Sequence, residues 1–250
     1  MKKIIVIGNS FGTDITRYLY GVARSEGVDL KVVNLYIGGC SLYRHYRNML
    51  SEEPVYSYEL NGHTSGLYVS LKAALLSDEW DHVIMQQCSP ASGDEESYQP
   101  FATEIAAYVR RMAPKAKLFV NQTWTFDTDT PRFKLTKFTA PEEMFPAVKA
   151  AYEKMARDIS ADGIIPSGEA MFRLWQRRGQ YGIEKVHRDG FHAALGVGRY
   201  LLALTAFASL TGKPIADNAF CDFDVEVTPE AAAGARAVAD EVLHEYGLLH

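Results

Sequence analysis

The run Ile4-Ile5-Val6-Ile7 constrains this chain more than any other stretch. Four consecutive β-branched apolar residues are too few for a helix and read as a strand buried on both faces, as inside a parallel sheet. The run stops at Gly8-Asn9-Ser10-Phe11-Gly12-Thr13-Asp14. A helical pattern follows, with Ile15, Leu19 and Val22 on one face and Arg17 and Arg24 on others. Strand, glycine-flanked turn and helix together put the Ser10 hydroxyl at the carboxyl end of a central strand, where open α/β sheets bind ligands. N–H groups of the turn and helix start point to the same place and favour developing negative charge. Ser10 is therefore the candidate nucleophile. The plainer alternative is an ordinary βα loop in which Ser10 only caps the helix.

The rest of the chain repeats this alternation. Strands are predicted at 30–35, 82–87, 117–122 and 163–166, the last with Pro166 marking an edge or a strand end. Helices are predicted at 42–51, 70–77, 96–112, 141–159, 170–178, 193–210 and 229–246. A long irregular loop runs from Thr123 to about Ala140, and 222–227 reads as extended. Asn61-Gly62, between Val55–Leu60 and Leu67–Val69, is a strong hairpin signal. The hairpin, around residues 54–70, is an insertion in the βαβ pattern, and its tyrosines either wall a pocket or pack the ribbon. Alternating strands and helices predict an α/β fold with a parallel sheet and right-handed crossovers. Without repeats or linker-like stretches, one domain is expected over residues 1–250.

Composition narrows the function. With 26 Lys+Arg against 31 Asp+Glu the chain carries −5, so no global basic field attracts nucleic acid or an anionic membrane. No apolar run is long enough to span a bilayer. The charged start ahead of Ile4 reads as part of a strand rather than a signal peptide. Cys40, Cys88 and Cys221 are odd in number and far apart, which argues against a disulfide framework and fits a reducing cytoplasm.

Three strand ends carry polar turns: Ser10, Gly38-Gly39 and Gln86-Gln87-Cys88. If the strands are adjacent, these turns converge on one crevice. The fourth contribution is His187-Arg188-Asp189-Gly190-Phe191-His192, ahead of the last core helix. A serine nucleophile needs a base, and the base needs a third group to fix its tautomer. Asp189 and His192, three apart in a glycine-containing loop, supply both. The Ser10 and Gly39 amides and a side-chain amide supply oxyanion donors.

These blocks resemble the SGNH hydrolases, or GDSL-type esterases: Gly8-Asn9-Ser10 as the nucleophile block, Gly39 as the glycine block and Asp189-Gly190-Phe191-His192 as the Asp-x-x-His block. Their order and spread cover most of the chain. The resemblance implies a flavodoxin-like three-layer α/β/α sandwich with a five-stranded parallel sheet. It also implies hydrolysis of small-molecule esters, often acetyl groups on carbohydrates, through an acyl-serine and without metal or cofactor. Two departures stand out. The first block usually reads Gly-Asp-Ser, and Asn9 replaces the aspartate. The third usually ends a strand in Gly-x-Asn-Asp, whose asparagine donates to the oxyanion; here the strand ends in Gln86-Gln87-Cys88-Ser89. A glutamine offers the same donor one methylene further out, so the role passes to Gln87, with Gln86 as the alternate.

Other readings compete. His187, Asp189 and His192 suit zinc as ligands, without an evident fourth. Cys40 and Cys88 lie in the same turns, as nucleophiles or as small packing residues. Trp124 and Trp175 either stack on sugar rings or pack the core. Gly8–Asp14 also resembles the phosphate-cradling loop of a flavodoxin, although a flavin carrier has no use for the late Asp-x-x-His. A non-catalytic carbohydrate-binding relative with the same fold is the third possibility.

Overall fold

The computed structural model describes residues 1–128 and 130–249. The apolar run forms the core of β1 (Lys2–Ile7), whose last four residues are buried. In chain order the parallel strands are β1, β2 (Leu30–Tyr36), β5 (His82–Met85), β6 (Lys117–Asn121) and β7 (Gly163–Ile165). The hairpin strands are β3 (Tyr56–Leu60) and β4 (His63–Val69). The sheet order is β4-β3-β2-β1-β5-β6-β7. Five adjacent strands are parallel, as expected for this fold class. The hairpin is not a detached ribbon: β3 pairs antiparallel with β2, which extends the sheet to seven strands. Asn61 and Gly62 both take positive φ, as a tight hairpin turn requires. Asn61 also clips the turn to β2, donating its N–H to the Val32 carbonyl and accepting the Val32 N–H. The β3–β4 register shifts between Ser57 and Glu59, and three-residue β7 closes the far edge.

The helices are α1 (Ser10–Thr16), α2 (Leu19–Ser25), α3 (Leu42–Ser51), α4 (Leu71–Leu76), α5 (Phe101–Met112), α6 (Pro141–Asp158), α7 (Ser167–Arg177), α8 (Val197–Thr211) and α9 (Pro229–Glu245). Right-handed crossovers place α4, α5 and α6 on one face of the sheet and α1 and α2 on the other. Buried α8 packs against α1 and α2, with α7 and α9 beside it. No helix is long and apolar enough to cross a membrane among the described residues.

Several boundaries differ from expectation: the helix expected at 96–112 begins at Phe101 and the one expected at 170–178 begins at Ser167. The first helix is broken at Arg17-Tyr18, where the Tyr18 hydroxyl turns inward to donate to the Leu195 carbonyl. The last core helix starts at Val197 rather than Ala193, because Ala193 and Ala194 pair with His187 and Val186 instead. Residues 222–227 form no strand; Asp224 is engaged there by Arg17 and Arg199.

Candidate active site

Adjacency of β2, β1 and β5 brings the Gly39, Ser10 and Gln86 turns to one end of the sheet. Two glycines let the first turn close. A Cβ on Gly8 or on Gly12 would lie 2.4 Å from the Asn34 side-chain oxygen, so both positions admit only the bare backbone. Asn34 in turn donates to Glu59 at 2.7 Å and to Thr13 at 3.2 Å.

Ser10 is the first residue of α1, and Asn9, not Ser10, is its cap: Asn9 Oδ1 accepts the Phe11 N–H at 3.0 Å. Asn9 Nδ2 donates to the Cys40 carbonyl at 3.1 Å, tying the Ser10 turn to the glycine loop. An aspartate has no hydrogen to donate there, which accounts for asparagine at this position. Buried amides continue the chain of bonds. Gln86 Nε2 donates to Asn9 Oδ1 at 2.9 Å, Asn121 Nδ2 to Gln86 Oε1 at 2.8 Å, and Ser167 Oγ to Asn121 Oδ1 at 2.6 Å. This relay runs beneath the ends of β1, β5, β6 and β7, and each of its bonds satisfies a group that burial would otherwise leave costly.

Ser10, Asp189 and His192 meet. His192 Nε2 lies 2.8 Å from Ser10 Oγ, and His192 Nδ1 lies 2.7 Å from Asp189 Oδ2. An ionised carboxylate only accepts, so Nδ1 carries the hydrogen and neutral Nε2 is left to accept the serine hydroxyl. Asp189 Oδ1 also accepts the backbone N–H of His192 at 2.9 Å and of Phe191 at 3.3 Å. Burial alone would raise the Asp189 carboxyl, but the bonds from the His192 ring and backbone outweigh it and hold the group below its ordinary value. The loop is seated from the β6 side, where Trp124 Nε1 donates to the Phe191 carbonyl at 2.7 Å and Asp127 N–H to the Gly190 carbonyl at 2.8 Å.

Gly39 takes φ +60°, with open space where a Cβ would stand, and is exposed. Its N–H and that of Ser10 have no acceptor among the described residues. The Gln87 side chain does not serve as the sequence reading expected. Its amide nitrogen donates to the carbonyl and hydroxyl of Ser97, and its oxygen accepts the Leu42 and Cys88 N–H groups, so the buried amide pins three loops together. Gln86 is likewise committed, to Asn9 and Asn121.

The competing assignments find other partners. His187 Nε2 donates to the Thr125 carbonyl at 3.1 Å and the ring is buried, with its pKa lowered chiefly by that burial; among the described residues no three His, Cys, Asp or Glu side chains are grouped to hold a metal ion. Cys40 is buried and its thiol is pushed up to about 12; burial also raises Cys88. Trp124 is fully buried and stacked on Phe11 with centroids 3.9 Å apart, and Trp175 donates to Asp127. In the flavodoxin-like reading the Thr13 hydroxyl would face a phosphate, but it donates to the Glu59 carboxylate at 2.9 Å.

Sequence reading passed over Asp14, Arg188, Asn121 and Ser167. Only Asp14 left a signal, lying one helical turn beyond Ser10 and so on the same face.

The family model described as a domain of unknown function, DUF4886, matches residues 3–241. No curated protein matches the chain. A DUF4886 family protein from Bacteroides uniformis has a solved structure 28% identical to this chain, with a TM-score of 0.86 over 97% of this chain and 95% of that one. A candidate SGNH hydrolase from Slackia heliotrinireducens is 20% identical, with a TM-score of 0.58 over 82% and 97%. TesA is 16% identical, with a TM-score of 0.52 over 84% and 99%. The last two share the α/β/α fold.

Proposed function

The chain belongs to the DUF4886 family, a domain of unknown function, and on that premise we propose that it is a serine hydrolase of carboxylic esters. One observation carries the reading: a serine hydroxyl, an imidazole and a carboxylate in series at 2.8 and 2.7 Å, at the carboxyl end of the central strand. His192 takes the Ser10 proton as Oγ attacks the acyl carbonyl, and Asp189 stabilises the imidazolium that forms. The tetrahedral oxyanion accepts from the free N–H groups of Ser10 and Gly39. Collapse expels the alcohol, protonated by His192, and leaves acyl-Ser10. Water, activated by the same imidazole, then releases the acid.

The preferred substrates are short acyl esters, acetyl above all, on a carbohydrate or a similarly polar alcohol. The exposure of Gly38 and Gly39, in the turn after the strand next to β1, supports this. The name of one structural neighbour, the candidate SGNH hydrolase, agrees with a hydrolytic activity.

The test is hydrolysis of p-nitrophenyl acetate and of acetylated sugars, with a fluorophosphonate as covalent probe. The probe's mass should appear on the Ser10 peptide, and Ser10→Ala should lose both labelling and turnover. Labelling confined to another residue, or turnover intact in Ser10→Ala, overturns the reading.

A further inference from the structure

Asp14 is completely buried, at 0% exposure, four residues beyond Ser10 on α1. A carboxylate in such a place is costly unless it is paired and hydrogen-bonded. Its Oδ1 accepts Arg188 Nη1 and Arg199 Nε, each at 2.9 Å, and its Oδ2 accepts the backbone N–H of Ala193 at 3.1 Å. Arg188 Nη1 donates also to the Ala193 carbonyl at 2.5 Å. The residue following the catalytic imidazole is therefore gripped at both its N–H and its carbonyl, by one carboxylate and one guanidinium that are themselves paired.

The reach of this grip matters. The bonds from Asp189 to His192 lie within one four-residue loop and move with it, so they orient the ring without fixing its distance from Ser10. The bonds from Trp124 and Asp127 hold the loop to the segment after β6. The Asp14–Ala193 bond instead joins the loop to the helix that bears Ser10. It closes a ring that runs from Ser10 through His192, Ala193 and Asp14 and back along α1.

We propose that Asp14, together with Arg188, is a positioning pair that sets the Ser10–His192 hydrogen bond. The proposal rests on the hydrolase reading above. Loosening the ring lets the imidazole drift from Oγ, and a misplacement of about 1 Å is enough for a loss of about 10²-fold.

The experiment measures fluorophosphonate inactivation at Ser10, resolved into the limiting rate constant and the half-saturating concentration and expressed per folded molecule. Asp14→Asn should lower the rate constant by about 10²-fold and Arg188→Met by about tenfold, with half-saturation unchanged, because the probe's contacts are elsewhere. Arg188→Lys should recover part of the loss, since its ammonium keeps the charge that pairs with Asp14 but lacks the rigid guanidinium plane that aims Nη1 at both Asp14 and the Ala193 carbonyl. A role confined to folding would change the folded fraction but not the rate per folded molecule. Should Asp14→Asn fail to fold, Arg188→Met decides, because the Arg188 side chain is 27% exposed and Arg199 still neutralises Asp14. Wild-type rates in the variants overturn the positioning pair alone. A wild-type protein that never labels at Ser10 overturns the hydrolase reading and this proposal with it.

Discussion

His192 Nε2 stands 2.8 Å from Ser10 Oγ across 182 positions of chain. The contact joins a loop before α8 to the first turn after β1, and what happens when either partner is changed follows from the proton it handles. His192→Ala should abolish ester turnover. Asp189→Asn should reduce kcat by up to about 10⁴-fold, because an amide can turn a donor toward Nδ1 and select the wrong tautomer. Steady-state kinetics on p-nitrophenyl acetate checks both, and near-normal turnover in His192→Ala would remove it as base.

The two glutamines at the end of β5 should fail in different ways. Gln87→Ala strips bonds from Ser97, Leu42 and Cys88, and each buried group left unpaired costs about 1–3 kcal/mol. Urea unfolding should show that loss while kcat per folded molecule stays within a fewfold. Gln86→Leu breaks the relay to Asn9, which ties Phe11 to Cys40, so kcat should fall about tenfold with KM little changed. The reverse pattern, with kcat lost in Gln87→Ala alone, would restore Gln87 as an oxyanion donor.

Gly12→Ala places a methyl 2.4 Å from Asn34 Oδ1, in a buried site where Asn34 is held by Thr13 and Glu59. Overpacking of this kind costs about 1–3 kcal/mol. The double variant Gly12→Ala/Asn34→Ser should be less destabilised than the two single losses added together. A strictly additive result by chemical denaturation would mean that Asn34 does not set the clash.

Acid should weaken the fold well before the carboxylates titrate. Burial lowers His45 to about 3 and His82 to about 4, and lowers His187 as well. Between those values and the unfolded value near 6.5, the unfolded chain binds protons that the native state refuses, so stability falls as pH drops. The loss is about 1.4 kcal/mol per group per pH unit in that window. Asp78 and Asp224, each lowered to about 2 chiefly by a hydrogen bond from a cationic side chain, add their losses only below about pH 4. Unfolding free energies at pH 7 and pH 5 should differ by several kcal/mol, and His82→Gln should narrow the gap. Equal stability at the two pH values would contradict it.

The contrast between Ser10 and Gln87 shows what local sequence can convey. Ser10 announces itself because a buried strand, a turn and a helix are contiguous, and Asp189 and His192 because three residues and a glycine suffice to face them together. Their meeting with Ser10 depends on bonds that hold the loop to the segment after β6 and to α1. Gln87 was misread because its direction depends on Ser97, in a short 3-10 turn whose position no periodicity reveals. Asp14 was passed over for a related reason: its partners lie 174 to 185 positions away, and nothing around an acidic residue in a helix tells that it will be buried. The hairpin was legible from Asn61-Gly62, but its docking on β2 depends on Asn61 reaching Val32.

The shifted register of the hairpin has a consequence for how the chain behaves among its own copies. An open sheet ends in rows of unpaired N–H and C=O groups, which are templates for fibre growth when long and flat. On one side β4 exposes Leu67 and Tyr68, at 61% and 66%, but the irregularity between Ser57 and Glu59 and the positive φ of Gly66 bend that border out of line. On the other, β7 is three residues long and Pro166 follows at once, offering a newcomer almost no ladder to climb. Both borders discourage propagation, one by its irregular pairing and the other by brevity.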